Sequence, residues 1–307
     1  MFGSMRVNGL GFLMAFTSPA SEAWIREVNE SVEFDSAGIS SIYIKTSVVH
    51  TRVFPCKGKN IQVRLSGGTA ANYVRFDAVA INGALRIFCD PEWSVIPVSS
   101  DLQLEIAVPE IMVPEFRITT VSSRVEFQFP GARKIDITAA SGTVSFSSVQ
   151  VRDSVFVKNV SGEIFMEGVS VQALSVSNHN GKIALTAVNA DEFSVVNSEG
   201  PILISGMKAL NARIRSVSGK ISAVSETLSP EMDVRTSSGA IDLAVPEEGC
   251  FSLNARSASG QVSVADIPVA GLVSEHQVAG IAGDKIGRER MAVLLKSGSG
   301  TITVRKV

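Results

Sequence analysis

Apolar and polar residues alternate along most of this chain, and the alternating segments recur about every twenty residues. In the repeat around Gly181, Leu174 and Val176 precede the glycine by seven and five residues, and Ile183 and Leu185 follow it by two and four. Equivalent positions are apolar in the other repeats. Because successive side chains of a strand point to opposite faces, this pattern predicts two short strands per repeat, each with one buried face.

A recurrent glycine defines the length of the repeat. It returns at intervals of nineteen to twenty-one residues, and the last interval is twice as long as the others. The members of this glycine column are Gly142, Gly162, Gly181, Gly200, Gly219, Gly239, Gly260 and Gly300. Most of them follow a serine, and a Ser-Gly pair is typical of a tight turn in which glycine adopts a positive φ without a Cβ clash. The column therefore predicts one corner per repeat.

Three consecutive repeats carry asparagine three residues before the glycine, at Asn159, Asn178 and Asn197. If the repeats stack in register, equivalent residues lie about 4.8 Å apart, and these amides are predicted to form a hydrogen-bonded ladder. Such a ladder is typical of parallel β-helices.

One repeat of this length buries too few apolar side chains to fold alone, so its stability must come from stacking on its neighbours. The sequence therefore predicts an all-β fold, a single-chain parallel β-helix or β-solenoid with two short strands per repeat of nineteen to twenty-one residues. A β-propeller, whose blades need about 40 residues and four antiparallel strands, is the weaker alternative.

The regular columns begin near residue 116, and the chain is predicted to have three parts. Residues 1–27 form a leader, residues 28–115 form irregular β coils that cap the N-terminal end, and residues 116–307 form the regular repeats. Within the last part, residues 265–290 are rich in glycine and charge and replace one repeat. This segment is predicted to be a loop excursion.

Residues 1–23 have the layout of a weak secretory signal peptide, with a basic residue, an apolar run and small residues at the end. Asn8, Gly9 and Gly11 interrupt the apolar run, and the basic region is Arg6 alone. The sequence therefore favours a cytoplasmic location slightly over export. No apolar run reaches the roughly 18 residues of a transmembrane span.

The repeated corners, as in Ser161-Gly162-Glu163-Ile164 and Ser218-Gly219-Lys220-Ile221, resemble those of the bacterial "putative adhesin" β-strand repeat family, domain of unknown function 4097. The resemblance covers roughly residues 30–307. It implies a β-helical domain and an adhesin label that rests on fold analogy. The family usually places Asp after the corner glycine, whereas this chain has residues such as Lys182 and Pro201 there. The resemblance therefore implies no acidic, cation-binding edge.

Charge and motifs exclude several classes of function. The formal net charge of -2 creates no field that would recruit nucleic acid. Cys56, Cys89 and Cys250 lie too far apart for a disulfide framework or a CxxC site. The chain has no phosphate-binding loop, HExxH or GxSxG motif, and its acidic residues are scattered among the columns. We therefore predict no catalytic, metal or cofactor-binding residues and no enzymatic activity, with a β-helix carbohydrate-active enzyme as the weaker alternative.

One outward column carries the candidate binding residues. Four residues before the glycine lie Arg215, Arg235 and Arg256, and later Lys296. Stacked repeats would bring the three arginines into a line, which suits an anionic polymer lying along the face, although Asp233 on the same face could neutralise them instead.

These observations favour a non-catalytic interaction or structural protein, adhesin-like, with an unknown protein or glycan bound along a solenoid face. The alternative within this class is a self-assembling intracellular or envelope scaffold, in which exposed coil ends stack on one another.

Overall fold

The computed structural model describes residues 26–69, 73–92, 101–225, 227, 229–246, 250–283 and 291–307. All the regular secondary structure in these ranges is β-strand. The signal-like residues 1–23 lie outside the described residues. The chain divides into two compact units, Met1–Gln150 (unit 1) and Val151–Val307 (unit 2).

Unit 1 contains these strands in its described residues: β1 (Arg26–Asp35), β2 (Ser41–Thr46), β3 (His50–Cys56), β4 (Asn60–Thr69), β5 (Tyr73–Ile81), β6 (Ala84–Glu92), β7 (Gln103–Pro109), β8 (Glu115–Ser122), β9 (Val125–Phe127) and β10 (Ala132–Ser141). The next strand, β11 (Val144–Ser161), begins in unit 1 and ends in unit 2.

Most strands of unit 1 stack in parallel. One series of neighbours is β6, β2, β8 and β10, and a second is β7, β3, β9 and β11. At the outer side of β6 and β7 the pairing becomes antiparallel: β5 pairs with β6, β4 pairs with β7, and β1 pairs with β4. The coil formed by β2 and β3 therefore lies between the coil of β6 and β7 and that of β8 and β9, so the stacking order differs from the chain order.

The core of unit 1 holds a cluster of phenylalanines. The ring of Phe116 meets the rings of Phe127 and Phe129 at centroid distances of 4.9 and 5.7 Å, in edge-to-face geometry. All three side chains are buried. This geometry adds to the stabilisation that apolar burial gives.

Unit 2 contains the end of β11 and these further strands in its described residues: β12 (Ile164–Asn180), β13 (Ile183–Glu199), β14 (Ile202–Ser216), β15 (Ile221–Ser225), β16 (Glu231–Thr236), β17 (Ile241–Val245), β18 (Phe251–Ser257), β19 (Val262–Ala265), β20 (Val269–Val273), β21 (Gln277–Ala282), β22 (Met291–Ser297) and β23 (Ile302–Lys306).

The repeats of unit 2 stack as parallel, in-register strands, which confirms the predicted all-β solenoid. The β-branched residue two positions after a corner glycine pairs with its equivalent, as Ile183 does with Ile164 and Ile202. The later repeats have the two predicted strands, such as β15 and β16. In β12, β13 and β14 a single strand runs through the whole coil.

A third buried segment distinguishes those continuous coils from the predicted pattern. Gly168, Ala187 and Gly206 have φ of 64, 51 and 71°, and the strand turns at each of them. The residue that follows is buried in every case, for example Val188 at 2% exposure. The strand bends at the left-handed residue, and its pairing with the neighbouring coils continues on both sides of the bend. Each of these coils therefore has a third buried segment besides the two that the sequence predicts.

The last repeat is inserted between two earlier ones. Strand β22 pairs with β16 on one side and with β18 on the other, and β23 lies in the same way between β17 and β19. Gly300 consequently stacks between Gly239 and Gly260. The repeats of unit 2 therefore do not all stack in the order of the chain.

Much of the predicted loop excursion at residues 265–290 is a β-hairpin. Strands β20 and β21 pair antiparallel, and β21 pairs antiparallel with β18. The hairpin occupies the edge of β18 that β22 leaves open, so the backbone groups of that edge gain partners. Residues 284–290 lie outside the described ranges.

The corner glycines stack in very close contact. A Cβ atom added to Gly181 would lie 2.0 Å from the carbonyl oxygen of Gly162, and φ at Gly181 is +123°. A Cβ on Gly300 would lie 1.9 Å from the carbonyl oxygen of Gly239. Close approach of adjacent corners therefore requires glycine. The predicted positive φ is confirmed at Gly142, Gly162, Gly181 and Gly200, but it is wrong for the later corners Gly219, Gly239, Gly260 and Gly300.

The asparagine column forms hydrogen bonds that differ from the predicted amide ladder. Asn178 and Asn197 are buried and opposite each other, but each donates its Nδ2 proton to a corner carbonyl of the preceding coil, Gly162 O and Gly181 O, at 2.8 Å in both cases. Asn159 occupies the equivalent buried position. A backbone carbonyl that is removed from water needs a donor, and the amide provides one for each of these corners. The side chains of the asparagine column therefore link the corners of adjacent coils by hydrogen bonds.

Hydroxyl groups take this role in the later repeats. Ser257 Oγ donates to Gly300 O at 2.9 Å and accepts from the backbone N–H of Gly260 at 2.9 Å. Ser297 Oγ donates to Gly239 O at 3.2 Å. These bonds link the corners in the order Gly239, Gly300, Gly260, which agrees with the strand pairing.

Candidate functional site

Four cationic side chains lie on the outward face of four neighbouring strands in unit 2. Strands β14, β16, β22 and β18 each bury the residue just before the cation, and these buried residues are Ile214, Val234, Leu295 and Ala255. Because a strand alternates its faces, the following residue points outward. We call the outward set Arg215, Arg235, Lys296 and Arg256 the basic column.

The strand register fixes the order of the basic column. Arg215 is opposite Arg235, Arg235 is opposite Lys296, and Lys296 is opposite Arg256. With neighbouring strands about 4.8 Å apart, the column is about 14 Å long. The sequence predicts Arg215, Arg235 and Arg256 in one line, and the structure places Lys296 between Arg235 and Arg256. The column therefore has one more cation than the three predicted arginines.

Asp233 partly compensates the charge of one half of the column. Its Oδ1 atom lies 2.7 Å from Nε of Arg235, and its Oδ2 atom lies 3.9 Å from Nη2 of Arg215. The Asp233 side chain is only 16% exposed, so solvent screens these contacts less than it screens a fully exposed pair. Arg215 and Arg235 are thus partly compensated.

The other half of the column has no such counter-charge. Lys296 and Arg256 are exposed, and neither makes an ion pair with any residue that the structure describes. On the far side of Arg256 the register places Gln277 of β21, which is neutral. Like charges directly opposite each other on neighbouring strands repel, so an anion bound here would relieve that repulsion.

A small cavity of about 190 Å³ lies at the Arg215 end of the column. Besides Arg215, its lining includes Arg213, Glu231 and Asp233. The two carboxylates make this end less favourable for an anionic ligand than the end formed by Lys296 and Arg256. The uncompensated half is therefore the stronger candidate for anion binding.

The described ranges offer no group of three His, Cys, Asp or Glu side chains that could hold a metal ion. In the same ranges, no helix has the length and apolar character needed to cross a membrane.

The position of Lys296 in the basic column is predictable from the sequence, but its neighbours are not. Its position four residues before Gly300 places it in the outward column. Its two neighbours depend on the insertion of β22 between β16 and β18, which column alignment does not show. Gln277 belongs to β21, a strand that the sequence of residues 265–290, rich in glycine and charge, does not predict.

The fold resembles those of two solved bacterial proteins. One is a "putative adhesin" from Parabacteroides merdae ATCC 43184, with 12% identity, a TM-score of 0.53, and coverage of 92% of this chain and 96% of that chain. The other is a "putative lipid binding protein" from Parabacteroides distasonis ATCC 8503, with 16% identity, a TM-score of 0.50, and coverage of 91% and 96%. At these identities the likeness shows the fold alone.

No curated protein matches the chain. The family model described as Toastrack DUF4097 matches residues 39–305, which include the corner glycines, the asparagine column and the basic column. The chain therefore belongs to the Toastrack DUF4097 family.

Proposed function

We propose that this chain is a non-catalytic binding protein that holds an acidic polysaccharide along the basic column. The observation that carries the proposal is the pair Lys296 and Arg256, which are opposite each other, exposed and without an ion-pair partner in the described residues. Arg235 and Arg215 continue the same line.

A polymer fits this surface better than a small anion does. The cations are spaced at the strand separation along a straight line, so a ligand with charges repeated along its length can contact several of them at once. Arginine presents a planar fork that matches carboxylate and sulfate groups, and lysine adds a point charge. An acidic polysaccharide provides such groups at regular intervals.

The names of the two structural relatives agree with a binding role. One relative is named for adhesion and the other for lipid binding, and both names describe recognition of a partner. An adhesin-like role supports the choice of a surface glycan as the ligand.

The test is binding of the full chain to immobilised polygalacturonate at low and at physiological salt. The double variant Lys296→Ser/Arg256→Ser is expected to bind at least about tenfold more weakly, because it loses both uncompensated charges. A matched control is Lys220→Ser/Arg305→Ser, since both of these exposed side chains are paired with Asp242. Equal binding by the wild type and the first double variant would exclude the basic column as the site.

A self-assembling scaffold is the second candidate. The observation that favours it is strand β20, which pairs only with β21 among the described strands and exposes Leu272 and Val273 by 54 and 65%. An uncharged edge strand of this kind can pair with another chain. Sedimentation velocity at several concentrations separates the candidates: a scaffold forms larger species as the concentration rises, whereas a binding protein keeps one sedimentation coefficient.

A further inference from the structure

Aromatic and cationic side chains alternate on the outward face of three neighbouring strands in unit 1, β6, β2 and β8. The register places Tyr43 between Arg86 and Arg117, and the next outward residue, Lys45, is opposite Phe88 on β6. We call these five residues the aromatic–basic site. They lie outside the glycine column, so an alignment of the repeats does not reveal them.

The site surrounds a shallow cavity of about 380 Å³. Its lining includes all five residues of the site, and the largely buried Ile44 and Ile87 contribute apolar surface. Small-molecule sites typically have volumes of about 300 to 1,000 Å³ and combine apolar or aromatic surface with a few polar groups. The cavity is therefore large enough for one sugar ring and has the corresponding surface chemistry.

Aromatic rings contact two of the three cations of the site, Lys45 and Arg117, and the neighbouring Arg75. Lys45 Nζ lies 5.7 Å from the centroid of the Phe88 ring, and the guanidinium carbon of Arg75 lies 4.8 Å from the same centroid. The guanidinium carbon of Arg117 lies 6.0 Å from the centroid of Tyr43. These cation–π contacts restrict the side chains before any ligand arrives, which lowers the entropy cost of binding.

The charges around the cavity do not balance. Arg117 pairs with Asp136 at 3.5 Å, and Arg75 pairs with Asp77 at 2.8 Å. Lys45 and Arg86 are exposed and form no ion pair within the ranges that the structure describes. Two positive charges therefore remain uncompensated beside two aromatic rings.

We propose that the aromatic–basic site binds one acidic sugar residue. The carboxylate or sulfate group lies against Arg86, whose guanidinium fork can contact both of its oxygens, and Lys45 adds the second uncompensated charge of the cavity. The ring packs against the exposed part of Tyr43, and the hydroxyls of Tyr43 and Thr119 provide partners for those of the sugar. This site is formed by unit 1 alone, so its occupation does not depend on the basic column.

The test is calorimetric titration of the full chain with a hexasaccharide of alternating glucuronate and N-acetylglucosamine, compared with the neutral hexasaccharide of N-acetylglucosamine. The comparison is made in the Lys296→Ser/Arg256→Ser background, where the basic column no longer competes for the acidic probe, and adding Arg86→Ser there is expected to lower the affinity about tenfold or more. Arg64→Ser is the matched control, because Arg64 is an exposed arginine of unit 1 on β4, away from the cavity. Equal affinity for the two probes, or an unchanged affinity in Arg86→Ser, would overturn the proposal.

Two further measurements keep the outcomes distinct. The variant Lys296→Ser/Arg256→Ser is expected to retain the binding that Arg86→Ser removes, so a failure of the basic column leaves this site measurable. Titration with phosphatidylglycerol vesicles tests the other source of an anionic group. If the chain binds the vesicles but not the acidic hexasaccharide, and Arg86→Ser weakens the vesicle binding, the ligand of the site is a lipid headgroup. That result would contradict the proposal that the site binds an acidic sugar. Arg86→Lys keeps the charge but removes the guanidinium fork, and it replaces Arg86→Ser in the titration if Arg86→Ser does not fold. Its affinity for the acidic hexasaccharide is expected to lie between that of the chain that retains Arg86 and the value, about tenfold lower, expected for Arg86→Ser.

Discussion

Lys296 lies directly opposite Arg256 on a neighbouring parallel strand, although the hairpin of β20 and β21 separates them in the chain. Two like charges in this arrangement repel each other, and neither is neutralised by an acidic residue of the described ranges. The repulsion within this pair therefore lowers the stability of the folded state.

Replacing Lys296 with glutamine is expected to raise the free energy of unfolding by about 0.2 to 1 kcal/mol, because the repulsion from Arg235 and Arg256 is removed. Thermal or urea unfolding at low salt measures the change. Lys220→Gln is the control, since Lys220 lies 3.9 Å from Asp242 and loses an attraction instead. A loss of stability in Lys296→Gln as large as that in Lys220→Gln would contradict this account of the pair.

The inserted last repeat predicts which engineered cysteines can cross-link. In Arg235→Cys/Lys296→Cys the two cysteines are register partners on neighbouring strands. Their Cα atoms lie about 4.8 Å apart, within the Cα–Cα range of about 4.4 to 6.8 Å that a disulfide requires. In Arg235→Cys/Arg256→Cys a strand lies between them, and the separation of about 10 Å is too large. Peptide mapping by mass spectrometry after oxidation is expected to find the first cross-link alone. If the repeats stacked in chain order, Arg235→Cys/Arg256→Cys would cross-link and Arg235→Cys/Lys296→Cys would not.

The close stacking of corners predicts a large effect of a single methyl group. Gly181→Ala is expected to destabilise the protein by roughly 2 to 5 kcal/mol, since its Cβ would lie 2.0 Å from the Gly162 carbonyl oxygen. Gly58→Ala is the control, because the nearest atom to its Cβ is 3.9 Å away and φ at Gly58 is not in the left-handed region. Chemical unfolding of both variants measures the difference. Similar stabilities for the two would show that adjacent corners do not meet so closely.

Cys89 provides a prediction about pH. Burial, with smaller contributions from Asp90 and Glu30, raises the pKa of the Cys89 thiol from 9.0 to about 12. The folded state therefore favours the neutral thiol, and this contribution to stability is present below about pH 9 and is lost as the pH rises from 9 to 12. The wild type is expected to lose more stability than Cys89→Ala over this interval. Equal losses would contradict the raised pKa.

Local features of the fold were predictable from the sequence, because they depend on residues close to one another in the chain. Ile183 and Leu185 lie two residues apart between Lys182 and Thr186, and this period of two indicates a strand with one buried face. The third segment was also within reach, since Val169 and Val188 both lie seven residues after a corner glycine. It was missed because the left-handed residue before them shifts the phase of the alternation.

The order of the coils could not be predicted in this way, because it depends on which distant strands compete for the same edge. Arg256 and Lys296 can both be assigned to the outward column, but their contact requires the hairpin of β20 and β21 to occupy the other edge of β18. Tyr43 and Arg86 illustrate the same limit in unit 1. Their strands lack the corner glycine, so no alignment of columns brings them together.

The measurement that tests the proposed function most directly is the acetylation rate of individual lysines, read by mass spectrometry with and without polygalacturonate. Lys296 is exposed at the centre of the uncompensated charge, and Lys220 is exposed but paired with Asp242. We expect the polysaccharide to slow acetylation of Lys296 several-fold and to leave that of Lys220 unchanged, with the protection lost at high salt. An unchanged rate at Lys296 under conditions in which the chain binds the polysaccharide would contradict the assignment of the basic column as the binding surface.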